Sequence, residues 1–195
     1  VSGTVRVAWM PRKNTALARQ IRETVEARLP RVQPGLTLEW VEIHHRTQAE
    51  VAELLRSAHV FLATGFPEGC PLPPLEAMAS GCVVAGFSGL GGWDYMRQIA
   101  PDAPWACRPW WPLRDVPWGG NGFYAADADV PAAASAVEAA CALLRGGGPE
   151  LAAVRRAARR TALAYSPQAQ REQAVRVWGE LAAMTPARAP GAFPA

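Results

Sequence analysis

The run FLATGFPEGCPLPPLEAMASGCVVAGFSGLGGWD, residues 61–94, decides the fold. It opens on the end of a short apolar stretch, 60–63, which reads as a strand. It continues to CVVAGF, 82–87, apolar without alternation, which is the pattern of a strand buried on both faces. Between them Pro74 suits the first turn of a short helix over 74–80, and Gly81 ends it. Strand, helix and a second buried strand form a βαβ unit, whose strands lie parallel. After it, SGLGGWDYM reads as a glycine-rich turn leading into another helix.

Outward from this unit the same alternation holds. Val5–Trp9 is a short buried strand. Leu17, Ile21, Val25 and Leu29 recur every four residues and give one helical face over 15–29, broken by Pro30 and by Pro34-Gly35. LTLEWVEI, 36–43, is a second strand. Thr47 with Glu50 three residues on is a capping-box pattern that starts a helix to about Ser57. A fifth strand is expected over 122–126, followed by helices over 130–144, 150–164 and 168–184. The expected fold is α/β, a Rossmann-like parallel sheet with helices on both faces, covering 1–184 as one domain. The Pro/Ala-rich end, 185–195, is expected to be disordered. Ligands of such sheets bind beyond the carboxyl ends of the strands, so the loops 10–14, 44–47, 64–73 and 88–94 are the places to look.

Composition narrows the class. The chain has 195 residues, with 50% hydrophobic and 19% charged residues and a mean hydropathy of −0.03. That excludes a disordered chain or a coiled coil. No apolar run approaches the roughly 20 residues of a membrane-spanning helix, and no signal-peptide pattern opens the sequence, so a cytoplasmic protein is expected. A net charge of +3 implies no nucleic-acid partner. Cys70, Cys82, Cys107 and Cys141 lie far apart, as reduced thiols do, with no metal-ligand spacing. The three histidines have none either, and no cofactor is implied. Of the 20 basic residues only Lys13 is a lysine, against an arginine-rich coding bias. Residues 101–121 carry five prolines and four tryptophans, an irregular loop whose tryptophans pack back onto the domain or, alternatively, present an aromatic platform to a sugar or a partner. Arg155, Arg156, Arg159 and Arg160 share a basic helical face, either solvated or docked on anionic lipid as a peripheral membrane contact.

The chemistry lies in the 61–94 run. Glu68 stands in the loop after a strand and Glu76 in the first turn of the helix behind it. A helix N-terminus offers N–H groups and a positive dipole end to a phosphate. A carboxylate at Glu76 can accept both hydroxyls of a ribose, and Glu68 can hold a second polyol. This arrangement suits a diphosphate between two hydroxylated rings. Arg12 and Lys13, after the first strand, suit phosphate oxygens.

EGCPLPPLEAMASG, 68–81, resembles the donor-binding motif of retaining GT-B glycosyltransferases of the glycosyl transferases group 1 family, Glu-Gly-x-x-Leu-Pro-x-x-Glu-Ala-Met-Ala-x-Gly. Glu68, Gly69, Leu72, Pro73, Glu76, Ala77, Met78, Ala79 and Gly81 match it. WMPRKN at 9–14, GFYAAD at 122–127 and PELAAVRRAARR at 149–160 look like further parts of the same family. The resemblance covers about residues 4–184 and only the C-terminal, donor-binding half of the family's two-domain enzyme. It implies a hexosyltransferase-type enzyme, inactive as the isolated half, whose partners are a nucleotide-sugar donor and a sugar, glycan or lipid-linked acceptor. The acceptor would be held by an N-terminal domain of the same protein. A nucleotide-binding module without catalysis is the alternative reading. The GT-B epimerases and phosphorylases are a third, against which the paired glutamates argue.

Carried over by the resemblance, Arg12 and Lys13 neutralise the donor diphosphate, Glu68 bonds the transferred sugar and Glu76 holds the ribose. The amides of Gly69, Cys70 and Leu72 face sugar and phosphate, and His44 lies near the base. Gly89, Gly91 and Gly92 let backbone approach the phosphates at the start of the next helix. The chain departs from the pattern at Cys70 and Pro71, where the family has an aromatic residue and a glycine. It departs again at His59, where an Asp is usual, and at Asp94, the acid nearest the place of a usual Glu.

Overall fold

The computed structural model describes residues 3–184. The tail expected to be disordered lies outside them. The described residues fall into two compact units, one reaching to Ala162 and the other starting at Leu163.

The first unit is built on a parallel sheet of β1 (Thr4–Trp9), β2 (Thr37–Glu42), β3 (Val60–Ala63), β4 (Val83–Phe87) and β5 (Gly122–Ala125), in the order β2-β1-β3-β4-β5. The parallel α/β fold expected from the sequence is therefore present. The helices are α1 (Thr15–Val32), α2 (Gln48–Ser57), α3 (Leu72–Ala79), α4 (Val130–Gly146) and α5 (Gly148–Ala164), which runs across the unit boundary. In the second unit α6 (Pro167–Met184) follows. None of the described helices is long and apolar enough to cross a membrane.

Strand order explains the layers. From β1 the chain moves outward to β2, then returns past β1 to β3 and on to β4. Because β-α-β crossovers are right-handed, reversing direction moves the helix to the other face. Accordingly α1 packs on α4, while α2 packs on α3. Val5, Val7, Leu62, Val83 and Ala85 meet Ile21, Val25, Ala133 and Val137 in the core. The direction changes between β1 and β3, and their carboxyl ends diverge there into a crevice.

Three local expectations are corrected. Helix α1 runs through Pro30 to Val32, because a proline this near the helix end removes only one backbone bond. Helix α3 starts at Leu72, not at Pro74, with Pro73 and Pro74 inside its first turn, where N–H groups have no partner to lose. Glu76 therefore sits in the second turn. Finally, the glycine-rich segment enters a single 3-10 turn, Gly91–Asp94, and no α-helix. The short turn is closed by Tyr95 and Met96 N–H donated to the Gly92 carbonyl.

The Trp/Pro-rich segment has a structural task. Together with Gln98 and Ile99 just before it, it covers the free edge of β5, which an open sheet leaves unpaired. Ile99 N–H bonds the Gly122 carbonyl at 3.0 Å and Cys107 N–H bonds that of Tyr124 at 2.9 Å. The Gln98 amide accepts from Tyr124 N–H and donates to its carbonyl. Trp105 packs on Phe123 and Trp118 is buried with its Nε1–H on the Tyr95 carbonyl, as packing back predicts. Trp110 differs, standing 92% exposed.

Candidate functional site

The crevice between β1 and β3 is a cleft of about 430 Å³. Arg12 and Lys13 line it from the loop after β1, Thr64, Gly65 and Glu68 from the loop after β3, and Cys70, Leu72 and Glu76 from the start of α3. Six of the residues singled out in the sequence thus reach one cleft from three segments.

Each segment is held by specific bonds. Asn14 closes the loop after β1 in the left-handed conformation, φ 57°, which asparagine tolerates better than most residues. Its Nδ2 donates to the Thr64 carbonyl at 2.8 Å and to that of Phe66 at 3.2 Å. The β1 and β3 loops are thereby tied together, and Lys13 comes to lie against Glu68. Lys13 Nζ is 2.8 Å from Glu68 Oε1, with the two side chains 43% and 28% exposed. A pair this wet is worth only about 0.2–1 kcal/mol to stability. Its consequence is positional: a lysine has three donors, so Nζ can hold Glu68 and a phosphate oxygen together.

The start of α3 has few backbone donors. Pro71, Pro73 and Pro74 have no N–H, so of the N-cap and first three helical positions only Leu72 can donate. With Gly69 and Cys70 before it, the backbone donors at this end are confined to the glutamate side of the loop. The Pro71 carbonyl is fixed by the buried Tyr95 hydroxyl, which donates to it at 2.6 Å.

The other residues named from the sequence stand differently. Gly69 is exposed beside the cleft and does not line it. His44 is exposed after β2, its ring tilted against His45 at 3.7 Å, and is not among the lining residues. Gly89, Gly91 and Gly92 use their amides internally: Gly89 N–H donates to Asp127 Oδ1 at 2.9 Å, Gly91 N–H to the Glu68 carbonyl at 3.0 Å, and Gly92 N–H to that of Ser88 at 3.1 Å. Gly89 and Gly91 serve close packing against the Glu68 loop, and Gly92 against the Met96 side chain. Asp94 pairs with Arg114 at 2.8 Å. Burial, then Asp94, raise the Cys70 thiol above its ordinary value, so it is a poor nucleophile at neutral pH.

Sequence reasoning missed Asn14, Tyr95 and Asp127. Asn14 carried a faint signal, an asparagine between a strand and a helix. Tyr95 carried none, its partner lying 24 residues away; Asp127 ends the GFYAAD stretch, but nothing local shows that it bonds Gly89, 38 residues away.

Residues 14–98 match the family described as Glycosyl transferases group 1. That segment holds Glu68, Glu76 and the 88–91 turn; Arg12 and Lys13 precede it. A stretch of 67 residues, 34% of this chain, is 43% identical to an alpha-1,6-glucosyltransferase of Actinobacillus pleuropneumoniae serotype 7 (strain AP76). The stretch covers 20% of that relative, so the chain is matched to only a fifth of the relative's length.

Proposed function

We propose that the cleft binds the nucleotide-diphosphate sugar of a retaining glycosyltransferase with a GT-B architecture, and that a further domain of the same protein holds the acceptor. The observation that carries this reading is the Lys13–Glu68 pair at 2.8 Å in the same cleft as Arg12 and Glu76. It sets a cation for phosphate beside a carboxylate for sugar hydroxyls, at the switch point of a parallel sheet. The family match and the glucosyltransferase relative support the same class of chemistry.

In this reading Glu76, one turn into α3, accepts the ribose hydroxyls, and Glu68 accepts hydroxyls of the transferred sugar. Arg12 forks onto two diphosphate oxygens and Lys13 adds a point charge. As the bond from the anomeric carbon to the leaving phosphate oxygen breaks, the sugar becomes oxocarbenium-like and the diphosphate gains negative charge. Arg12, Lys13 and the amides of Cys70 and Leu72 stabilise that charge more in the transition state than in the ground state. Retention means that the acceptor hydroxyl oxygen bonds the anomeric carbon on the face the leaving group departs from, and its proton passes to the departing diphosphate.

The test is calorimetric titration with UDP, GDP and ADP, and with each parent nucleoside, at fixed salt. Arg12→Ala and Lys13→Ala are expected to weaken all three diphosphates by about ten- to a hundredfold, one charge-assisted contact being worth about 1.5–3 kcal/mol, and to leave the nucleosides unchanged. Glu76→Ala is expected to weaken nucleoside and diphosphate alike. No binding of any diphosphate at millimolar concentration refutes the reading.

A further inference from the structure

Asp127 stands two residues beyond β5 and half-buried. Its neighbour Asp129 has an ordinary task as the N-cap of α4, accepting from Ala132 N–H at 3.0 Å. Asp127 instead turns back to the next strand's loop. Its Oδ1 accepts Gly89 N–H at 2.9 Å. Burial raises the Asp127 pKa, and the backbone donors of the 88–90 stretch, Gly89 first, oppose the rise.

The turn Asp127 holds is the one that grips Glu68. Glu68 N–H donates to the Gly89 carbonyl at 2.9 Å, and the Glu68 carbonyl accepts Gly91 N–H at 3.0 Å. Both backbone groups of Glu68 are therefore fixed by the 88–91 turn, in a parallel bridge between Glu68 and Leu90. The contact is tight: a Cβ on Gly89 would stand 2.7 Å from the Gly65 carbonyl oxygen. Force passes in an unbroken line from the Asp127 carboxylate through Gly89 to the Glu68 backbone, and from there to the carboxylate on Lys13.

We propose that Asp127 is a positioning residue, which holds Glu68 against Lys13 by anchoring the 88–91 turn. It does not line the cleft. The proposal rests on the donor-site reading for its consequence, that Asp127 governs recognition of the sugar and not of the nucleoside diphosphate.

Two measurements on the full chain test it. In hydrogen exchange, Asp127→Ala is expected to speed the Glu68 and Gly91 amides at least tenfold and to leave the core amides of β3 and β4 unchanged. Asp127→Asn, whose side-chain carbonyl still accepts Gly89 N–H, is expected to restore most of the protection. In titrations with UDP, UDP-glucose, GDP and GDP-mannose, wild type should bind one nucleotide-sugar more tightly than its diphosphate. Asp127→Ala should erase that margin with the diphosphate affinity changed less than twofold, and Asp127→Asn should recover it. Unchanged exchange at Glu68 and Gly91 in a folded Asp127→Ala overturns the proposal. So does an equal loss for diphosphate and nucleotide-sugar, which is what general destabilisation would give. A wild-type chain that binds no diphosphate refutes the donor-site reading instead, and the exchange rates then still decide whether Asp127 anchors Glu68.

Discussion

Gly91→Ala probes how closely the 88–91 turn must approach the Glu68 loop. An ideal Cβ on Gly91 would lie 1.9 Å from the Gly69 carbonyl oxygen, 2.4 Å from its carbon and 2.5 Å from the Glu68 carbonyl oxygen. All three are backbone atoms, so no side chain can swing aside. Restoring even 3.0 Å, below which real Cβ atoms essentially never come, means moving one loop by about 1 Å. That movement sacrifices or strains the Gly91-to-Glu68 and Glu68-to-Gly89 bonds, each worth about 0.5–1.5 kcal/mol. Overpacking adds about 1–3 kcal/mol where the surroundings are rigid. Partial relaxation trades one cost for the other, and the expected loss is about 2–4 kcal/mol. For a chain of this length that lowers the midpoint of thermal unfolding by about 4–16 °C. Gly119→Ala is the control, since a Cβ there meets nothing within 4 Å, and it should stay within about 0.5 kcal/mol of wild type. The assay is urea unfolding followed by tryptophan fluorescence, with thermal melts in parallel. A Gly91→Ala chain as stable as the Gly119→Ala control would refute the close-packing argument and, with it, the rigidity ascribed to Glu68.

Other consequences are open to measurement. Gly86→Ala should cost at least as much as Gly91→Ala, because Gly86 has φ +123° and its Cβ would stand 2.3 Å from the Ala63 carbonyl oxygen in the middle of the sheet; the same urea series checks it. Asn14→Gly keeps the left-handed backbone accessible and removes only the two side-chain bonds to Thr64 and Phe66. It should cost about 1–3 kcal/mol and weaken UDP, GDP and ADP by releasing the Lys13 loop. His59 Nδ1 accepts Arg6 N–H at 2.9 Å, and burial, then Arg155 and Arg6, hold its pKa below the ordinary imidazole value, with Glu39 opposing. The unfolded chain therefore takes up this proton first. The contribution is complete above about pH 6.5 and is lost as pH falls through the lower folded value; urea midpoints of wild type and His59→Gln from pH 7.5 to 5 should converge toward acid. Thr47→Ala removes the side-chain acceptor of Glu50 N–H and half of the capping box, for a loss of about 0.5–2 kcal/mol visible in the melting temperature.

What the sequence determined by itself was whatever rests on local order. Apolar runs without alternation at 60–63 and 82–87 specify strands buried on both faces, and the spacing of Ile21, Val25 and Leu29 specifies which side of α1 enters the core. Thr47 and Glu50 make their capping box from residues three apart. Arg12, Lys13, Glu68 and Glu76 were legible because loops after parallel strands face one edge of the sheet, whatever the details of packing. The tertiary structure alone decided what depends on contacts distant in sequence. That α3 begins at Leu72 follows from prolines whose missing N–H groups cost nothing at a helix start, an outcome composition does not distinguish from a start at Pro74. The glycines at 89, 91 and 92 advertised freedom to approach something, but their targets are the Glu68 loop, Asp127 and the Ser88 carbonyl. A glycine records that space is short and says nothing of what fills it. In the same way Asp127 and Asp129 are both acids after a strand; one caps its own helix and the other reaches the turn beyond β4. Only the side-by-side placement of β4 and β5, fixed by the order of the whole sheet, separates the two roles.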